Sequence, residues 1–281
     1  MSTPSVAVVI VSWNSRDDIA ACLGSLASVS LPVQIVVVDN ASTDGSAEAA
    51  RAAAPQARVM DAGANLGFAR ASNRGWRATE APYVLFLNPD AQVTPGAVEA
   101  MHGILEARSD VGIVGPLTRN ADGTPQVSFG PDLTPLGEWR QRRLVRAVRA
   151  RDPQALARLE TATSCEAEPD WVSGSCLMAR RTLLETLGGF DESFFLYEED
   201  VDLCVRARQN GSRVVFTPRA GITHRLGRSM EQAGGRARLE YDRSHVYFYR
   251  KHNGPFLAFV LRMTLAFRHP WGRVGPGREV G

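Results

Sequence analysis

Four carboxylates, Glu198, Glu199, Asp200 and Asp202, fall within five positions at the start of a helical pattern. A helix N-terminus favours anions, but a cap needs only one of them. Like charges this close raise the pKa of one member toward the range of a general base. A second polar set is scattered, yet each part follows an apolar run. Ser12, Trp13 and Asn14 follow Val6 to Val11; Asp39, Asn40 and the stretch to Asp44 follow Val33 to Val38; Asn88 and Asp90 follow Tyr83 to Leu87. Asp44, before Gly45 and Ser46, also fits a plain helix cap. Open parallel sheets bind ligands at the carboxyl ends of their strands, so three polar strand ends on one rim point to a ligand site.

The elements that must position these residues alternate. Apolar, β-branched runs predict strands at Val6 to Val11, Val33 to Val38, from Arg58, at Tyr83 to Leu87 and at Gly112 to Val114. Amphipathic stretches predict helices at Asp17 to Val29, Ser46 to Ala54, Phe68 to Thr79 and Pro95 to Arg108. Such alternation means an α/β fold, a mostly parallel sheet flanked by helices. Beyond Pro116 the pattern loosens. Asn120 to Pro135 reads as a loop or short hairpin, Trp139 to Leu159 as a basic helix broken near Asp152-Pro153, Asp170 to Arg180 as a strand-like return, and Val201 to Gln209 as a helix. Arg142, Arg146 and Arg149 share a face that is either solvated or meets an anionic surface. Helices at Arg236 to Lys251 and Pro255 to Phe267 end the chain; the apolar second one either lies on a membrane or packs back.

Composition excludes several classes. In 281 residues, 44% hydrophobic and 22% charged, there is enough apolar surface for a sizeable core, which rules out a disordered tail or a disulfide miniprotein. No apolar run is long enough for a bilayer-spanning helix, and Met1 to Ser5 lacks the basic flank of a signal peptide, so a cytoplasmic chain is expected. A net charge of +2 with dispersed arginines argues against a nucleic-acid binder. Of the 32 basic residues only Lys251 is a lysine, which reflects either a GC-rich genome or arginine's suitability for phosphate. Cys22, Cys165, Cys176 and Cys204 lack metal or disulfide spacing and are expected to be reduced core thiols. Gly-x-Gly-x-x-Gly after the first strand, Gly-Lys-Ser/Thr and Gly-x-Ser-x-Gly are all missing.

Six segments in order resemble glycosyltransferase family 2, inverting GT-A enzymes that use nucleotide-diphosphate sugars. They are Val-Val-Asp39-Asn40-Ala-Ser-Thr-Asp44-Gly-Ser, Asn65-Leu-Gly67-Phe-Ala-Arg-Ala-Ser-Asn73-Arg-Gly75, and Leu-Asn88-Pro-Asp90-Ala. Then come Trp171-Val-Ser-Gly174-Ser175-Cys-Leu-Met, Phe190-Asp191 through Glu198-Glu199-Asp200-Val-Asp202 to Arg206, and His224-Arg-Leu-Gly-Arg-Ser229. Asn88-Pro-Asp90, in place of Asp-x-Asp, looks most like the rhamnosyltransferase branch that builds bacterial surface polysaccharide.

The resemblance implies a GT-A domain over residues 1–230, with a nucleotide-sugar half at 1–116 and an acceptor and catalytic half at 117–230, followed by a C-terminal helical extension at 231–281. It implies that Asp39 meets the base or ribose of the donor, with Ser12, Asn14, Asn40, Asn65, Gly67, Asn73 and Asn88 in the same nucleotide site. Asp90 and His224 would hold Mg²⁺ or Mn²⁺ against the diphosphate, weakly, because Asn88 stands where many members carry Asp. Asp200 would be the general base and Glu199 would orient it. Asp202 would face the helix surface and pair with Arg206. Trp171, Gly174 and Ser175 would shape the acceptor site. The donor implied is dTDP-rhamnose or a UDP-hexose. The acceptor is a glycan or a polyprenyl-diphosphate-linked sugar, reached from the inner face of the cell membrane. A sugar-1-phosphate nucleotidyltransferase and an inactive nucleotide-sugar-binding protein are the competing readings.

Overall fold

The computed structural model describes residues 3–225 and 228–268. In chain order the first half comprises β1 (Val6–Ser12), α1 (Arg16–Ser25), β2 (Val33–Asp39), α2 (Ser46–Ala53), β3 (Arg58–Asp61), α3 (Gly67–Arg77), β4 (Tyr83–Leu87), β5 (Ala91–Val93), α4 (Ala97–Ala107) and β6 (Val111–Arg119). The second comprises β7 (Phe129–Gly130), α5 (Pro135–Arg149), α6 (Pro153–Ala162), β8 (Trp171–Val172), β9 (Cys176–Arg180), α7 (Arg181–Leu187), α8 (Glu199–Gln209), β10 (Arg213–His224), α9 (Arg228–Phe248) and α10 (Pro255–Arg268).

One sheet in the order β3-β2-β1-β4-β9-β6-β10-β5 organises the chain. The run β3-β2-β1-β4 is parallel, and every residue of β1 is buried, as a β-branched strand covered on both faces should be. Its alternate residues feed two cores: Val6, Val8 and Ile10 pack with α1 and α4, whereas Ala7 and Val9 face α3, α7 and α8. Register brings the polar ends level, with Ser12 beside Asp39 and the Asn40 N–H donating to the Ser12 carbonyl at 2.8 Å.

Several expectations change. The return at Asp170 to Arg180 splits at residues 173–175: β8 pairs with β7, and β9 enters the sheet antiparallel between β4 and β6. This puts Ser175 beside Asn88, whose N–H donates to its carbonyl at 2.9 Å. Strands β5 and β10, absent from the sequence reading, pair antiparallel with His224 opposite Ala91. The basic segment does break at Asp152, which caps α6 by accepting the Ala155 N–H at 2.8 Å. Cys22, Cys176 and Cys204 are buried, but Cys165 is exposed. The first tail helix begins earlier than expected, and residues 269–281 of the predicted extension lie outside the described residues.

Gly75 sets how close α3 lies to the sheet. A Cβ there would sit 2.4 Å from Val9 Cγ1, and a β-branched side chain in the middle of β1 has no room to yield. Alanine should gain up to about 1 kcal/mol of helix propensity and lose about 1–3 kcal/mol to overpacking. Gly75→Ala should therefore lower the urea midpoint; an unchanged or raised midpoint would contradict this packing.

Candidate active site

A cavity of about 320 Å³ opens at the carboxyl ends of β1, β2 and β4. Of the sequence-predicted residues, Asn40, Asn65, Gly67, Asn88, Gly174, Ser175, Glu199, Asp200 and His224 line it, together with Trp13, Phe195, Tyr197, Glu198 and Glu240.

At the strand tips Asp39 accepts the Ser42 N–H through Oδ2 at 3.0 Å. Its Oδ1 and the Ser12 Oγ are buried with no hydrogen-bond partner among the described residues. Neither lines the cavity, and nor does Asn14, whose Oδ1 accepts the Thr43 N–H at 2.9 Å and whose N–H donates to Ser42 Oγ. Asn14 thus braces the 41–44 loop. Asp44 accepts the first N–H of α1 and of α2, at 3.0 Å each, so it is the cap that its sequence context suggested.

Asn65 accepts the Gly67 N–H in an Asx turn, and Asn40 Nδ2 donates to the Gly67 carbonyl. Gly67 has φ +78°, and a Cβ on it would lie 2.3 Å from the Phe195 carbonyl oxygen, which accepts the Phe68 N–H at 2.7 Å. Only glycine lets this turn touch the loop that leads into α8.

Asn73 and Trp171, too, lie off the cavity. Asn73 is fully buried away from the cavity; its amide spans the Phe190 carbonyl, the Phe190 N–H and Trp76 Nε1. It anchors the 188–192 turn and does not face a nucleotide. Trp171 is a core residue whose Nε1 donates to the Pro131 carbonyl at 2.8 Å, so its indole presents no face to a sugar. The strand-like return was expected to be continuous; its first piece, β8, pairs with β7 in a separate ribbon and turns Trp171 inward.

The β5–β10 pairing brings Asp90 and His224 together, His224 Nε2 lying 3.2 Å from Asp90 Oδ1. Gln126 donates its Nε2 to the His224 carbonyl at 2.7 Å, which turns its Oε1 to the ring Nδ1 at 3.2 Å. With Nδ1 facing Gln126 Oε1, the ring presents Nε2 to Asp90, whose buried Oδ1 lacks a hydrogen-bond partner among the described residues. An imidazole nitrogen beside a carboxylate oxygen is a donor set that suits a divalent cation. Among the described residues no cluster of three or more His, Cys, Asp or Glu could hold a metal alone, so phosphate and water would complete the shell.

Within the acidic run, capping of α8 is confined to Asp200, whose Oδ1 accepts the first-turn Val201 N–H at 2.8 Å. Tyr197 (φ 71°) and Glu198 (φ 66°) are both left-handed, and the Glu198 side chain makes no cap bond. Asp200 faces the cavity, its Oδ2 accepting the Gly174 N–H at 2.6 Å. Burial pushes its carboxyl up, and the N–H groups of Gly174 and Val201 partly offset this. Burial, reinforced by the Asp200 charge, raises Glu199 well above the usual carboxylate range. Asp202 is buried, contrary to the surface position expected. It does pair with Arg206 at 2.7 Å, but also with Lys251 Nζ at 2.6 Å and His252 Nε2 at 2.7 Å. Burial works against its charge, and these three partners still hold it below the ordinary value.

The last helices were missed as site elements. Ser244 Oγ donates to the Leu196 carbonyl at 2.7 Å, and His245 donates from Nδ1 to Glu198 Oε1 at 2.5 Å and from Nε2 to Glu138 Oε1 at 2.9 Å. Arg142, expected on a free basic face, pairs with Glu138. Burial alone would lower His245; the two glutamates raise it to about 9. No signal in the sequence ties Gln126 or His245 to the site. Glu198 was legible only as one of the acidic run.

Comparisons with known proteins bear on the family and the fold. The sequence pattern of Glycosyl transferase family 2 matches residues 7–156, and that of Glycosyl transferase family group 2 matches residues 154–239. The N-acetylglucosaminyl-diphospho-decaprenol L-rhamnosyltransferase of Mycobacterium tuberculosis is 32% identical, over 95% of this chain and 92% of the relative. Among solved structures, the mannosyltransferase PcManGT from Pyrobaculum calidifontis, in complex with GDP-Man and Mn²⁺, superposes with a TM-score of 0.58 at 18% identity, covering 98% of this chain and 77% of that one. Glucosyl-3-phosphoglycerate synthase from Mycobacterium tuberculosis gives 0.59 at 20% identity, over 90% and 81%. The fold is therefore of the GT-A type.

His245 gives the site a signature in stability. Its folded pKa of about 9 exceeds the ordinary 6.5, so its contribution is complete below pH 6.5 and is lost as pH rises through about 9. Urea unfolding across that window should show a decline of a few kcal/mol in the wild type that His245→Gln lacks. Parallel curves for the two proteins would show that His245 carries no charge.

Proposed function

The chain belongs to glycosyl transferase family 2, and from that premise we propose that it moves rhamnose from a dTDP-linked donor, with inversion, onto a hydroxyl of a polyprenyl-diphosphate-linked sugar. Extensive identity to a rhamnosyltransferase supports the donor and acceptor classes. The observation that carries the mechanism is Asp200, held against the cavity by the Gly174 N–H and raised toward neutrality by burial. Its carboxylate takes the proton of the acceptor hydroxyl as that oxygen bonds the anomeric carbon and the bond to the diphosphate breaks. Glu199, raised further, keeps its proton and orients the acceptor as a donor. Residues 1–116 serve the nucleotide: Asn40 and the Asn65–Gly67 turn form its wall, with Ser12 and Asp39 paired at the strand tips just outside the lining. Residues 117–230 serve the acceptor and the chemistry.

Asp90 and His224 would hold a divalent cation, Mg²⁺ or Mn²⁺, which when bound supplies Lewis-acid stabilisation of the departing diphosphate. With Asn88 in place of a carboxylate the protein contributes little charge to that shell, so affinity should be modest.

The acceptor class implies a lipid surface, and two exposed faces suit one. On α5, Leu136 and Trp139 are exposed among Arg140, Arg143, Arg146 and Arg149; on α10, Phe256 is 74% and Phe259 61% exposed. Asn253 Nδ2 donates to the Leu133 carbonyl at 2.9 Å, so both helices start from one place. Among the described residues no helix is long and apolar enough to cross a membrane, and a basic face beside exposed aromatics fits interfacial binding to anionic lipid.

A panel of dTDP- and UDP-sugars, assayed for nucleoside diphosphate release with acceptor, should show turnover from dTDP-rhamnose that EDTA lowers. Asp200→Asn should reduce it about 10²–10⁴-fold. Release unaffected by that substitution would remove Asp200 as base, and no nucleotide binding at all would remove the function. Sedimentation with phosphatidylglycerol vesicles should capture the protein, less so at high salt or after Phe256→Ser with Phe259→Ser. Equal partition of wild type and variant would refute the docking face.

A further inference from the structure

We propose that Glu198 is a further acceptor-binding residue, its Oε2 receiving a hydrogen bond from a hydroxyl of the acceptor sugar, and that Ser244 and His245 position it. The inference rests on the function proposed above.

Glu198 borders the cavity at only 6% exposure, yet its Oε2 has no hydrogen-bond partner among the described residues. Buried oxygens of carboxylates are ordinarily paired, because leaving one unsatisfied is costly. Its other oxygen, Oε1, is fixed by His245 at 2.5 Å, which leaves Oε2 oriented and unspent. The backbone is left-handed at Tyr197 and Glu198, a conformation that costs about 1–3 kcal/mol per residue and persists only where surroundings enforce it. Here α9 does so at two consecutive positions, Ser244 on the Leu196 carbonyl and His245 on Glu198.

Charge balance identifies the ligand. His245 faces Glu198 and Glu138 through hydrogen bonds and lies 3.3 Å from Arg142; its ring stacks on Tyr241 and meets the edge of Tyr249. Two carboxylates against an imidazolium and a guanidinium make a neutral cluster, so Glu198 can stay ionised although burial pushes its carboxyl up. An ionised carboxylate only accepts hydrogen bonds, and together with the Asp200 carboxylate it repels phosphate. The ligand group is therefore a neutral donor such as a sugar hydroxyl. The diphosphate belongs at the Asn88–His224 side of the cavity.

The test uses the full chain, dTDP-rhamnose and a short-chain N-acetylglucosaminyl-diphospho-polyprenol, with dTDP binding by calorimetry as a control of the nucleotide site. Glu198→Gln is isosteric and turns the free acceptor into a donor. It should raise the acceptor KM about tenfold or more, the scale of one charge-assisted hydrogen bond, with donor KM and dTDP affinity unchanged. His245→Gln should raise acceptor KM likewise. It should also abolish the rise in acceptor KM that the wild type shows above pH 9, where His245 loses its proton. An unchanged acceptor KM in Glu198→Gln, or a rise in donor KM in its place, overturns the proposal. Should Glu198→Gln lose dTDP binding, Ser244→Ala decides: an acceptor-selective KM rise supports the assignment, and an unchanged KM overturns it. A wild type that binds dTDP but transfers to no acceptor is a separate result, which removes the proposed function and this inference with it.

Discussion

Desolvation of three consecutive carboxylates is the constraint around which the molecule is built. Glu198, Glu199 and Asp200 stand together at the wall of one cavity, where water is largely excluded and mutual repulsion is strong. Each is compensated differently. Asp200 has the Gly174 backbone and Glu198 has the His245 ring, whereas burial of Glu199 outweighs its own backbone N–H and holds it well above the usual carboxylate range. An uncompensated buried charge costs several kcal/mol, so any element supplying compensation is tied to the site. β9 enters against the strand direction, and the segment before it brings the Gly174 N–H to Asp200 on α8. α9 meets the 196–198 segment through Ser244 and His245.

The tail is accordingly part of the site. Lys251 and His252 bond to Asp202 on α8, and Ser244 and His245 hold the loop that leads into that helix. The exposed Phe256 and Phe259 lie on α10, the next helix along the chain. The Asn88–His224 side of the cavity is of contrasting character: Asp90 beside His224 is a donor set suited to a cation, and Ser12 and Asp39 are paired at the strand tips just outside the lining.

Much of this was legible in the chain. Continuous β-branched runs such as Val33 to Val38 report burial on both faces, and polar residues directly after them report the rim. The acidic run was readable because four carboxylates exceed a cap. What failed depended on pairing direction and long-range contact, which hydropathy does not encode. Trp171 sits beside Gly174 in sequence, yet β8 turns it into the core. Asn73 lies in a polar motif, yet its amide is consumed by the Phe190 turn. Gln126 is 98 positions from His224 and His245 is 47 from Glu198, so only the folded chain makes them partners.

Burial that tunes the carboxylates of this wall for proton transfer must show in the pH dependence of kcat/KM for transfer to the acceptor. The acid limb reports the cluster as a whole. Activity should fall on acidification with an apparent pKa above the ordinary range of aspartate and glutamate. A limb at or below that range would contradict it, because the base would then be a solvated carboxylate and the burial that organises this site would have no part in the chemistry.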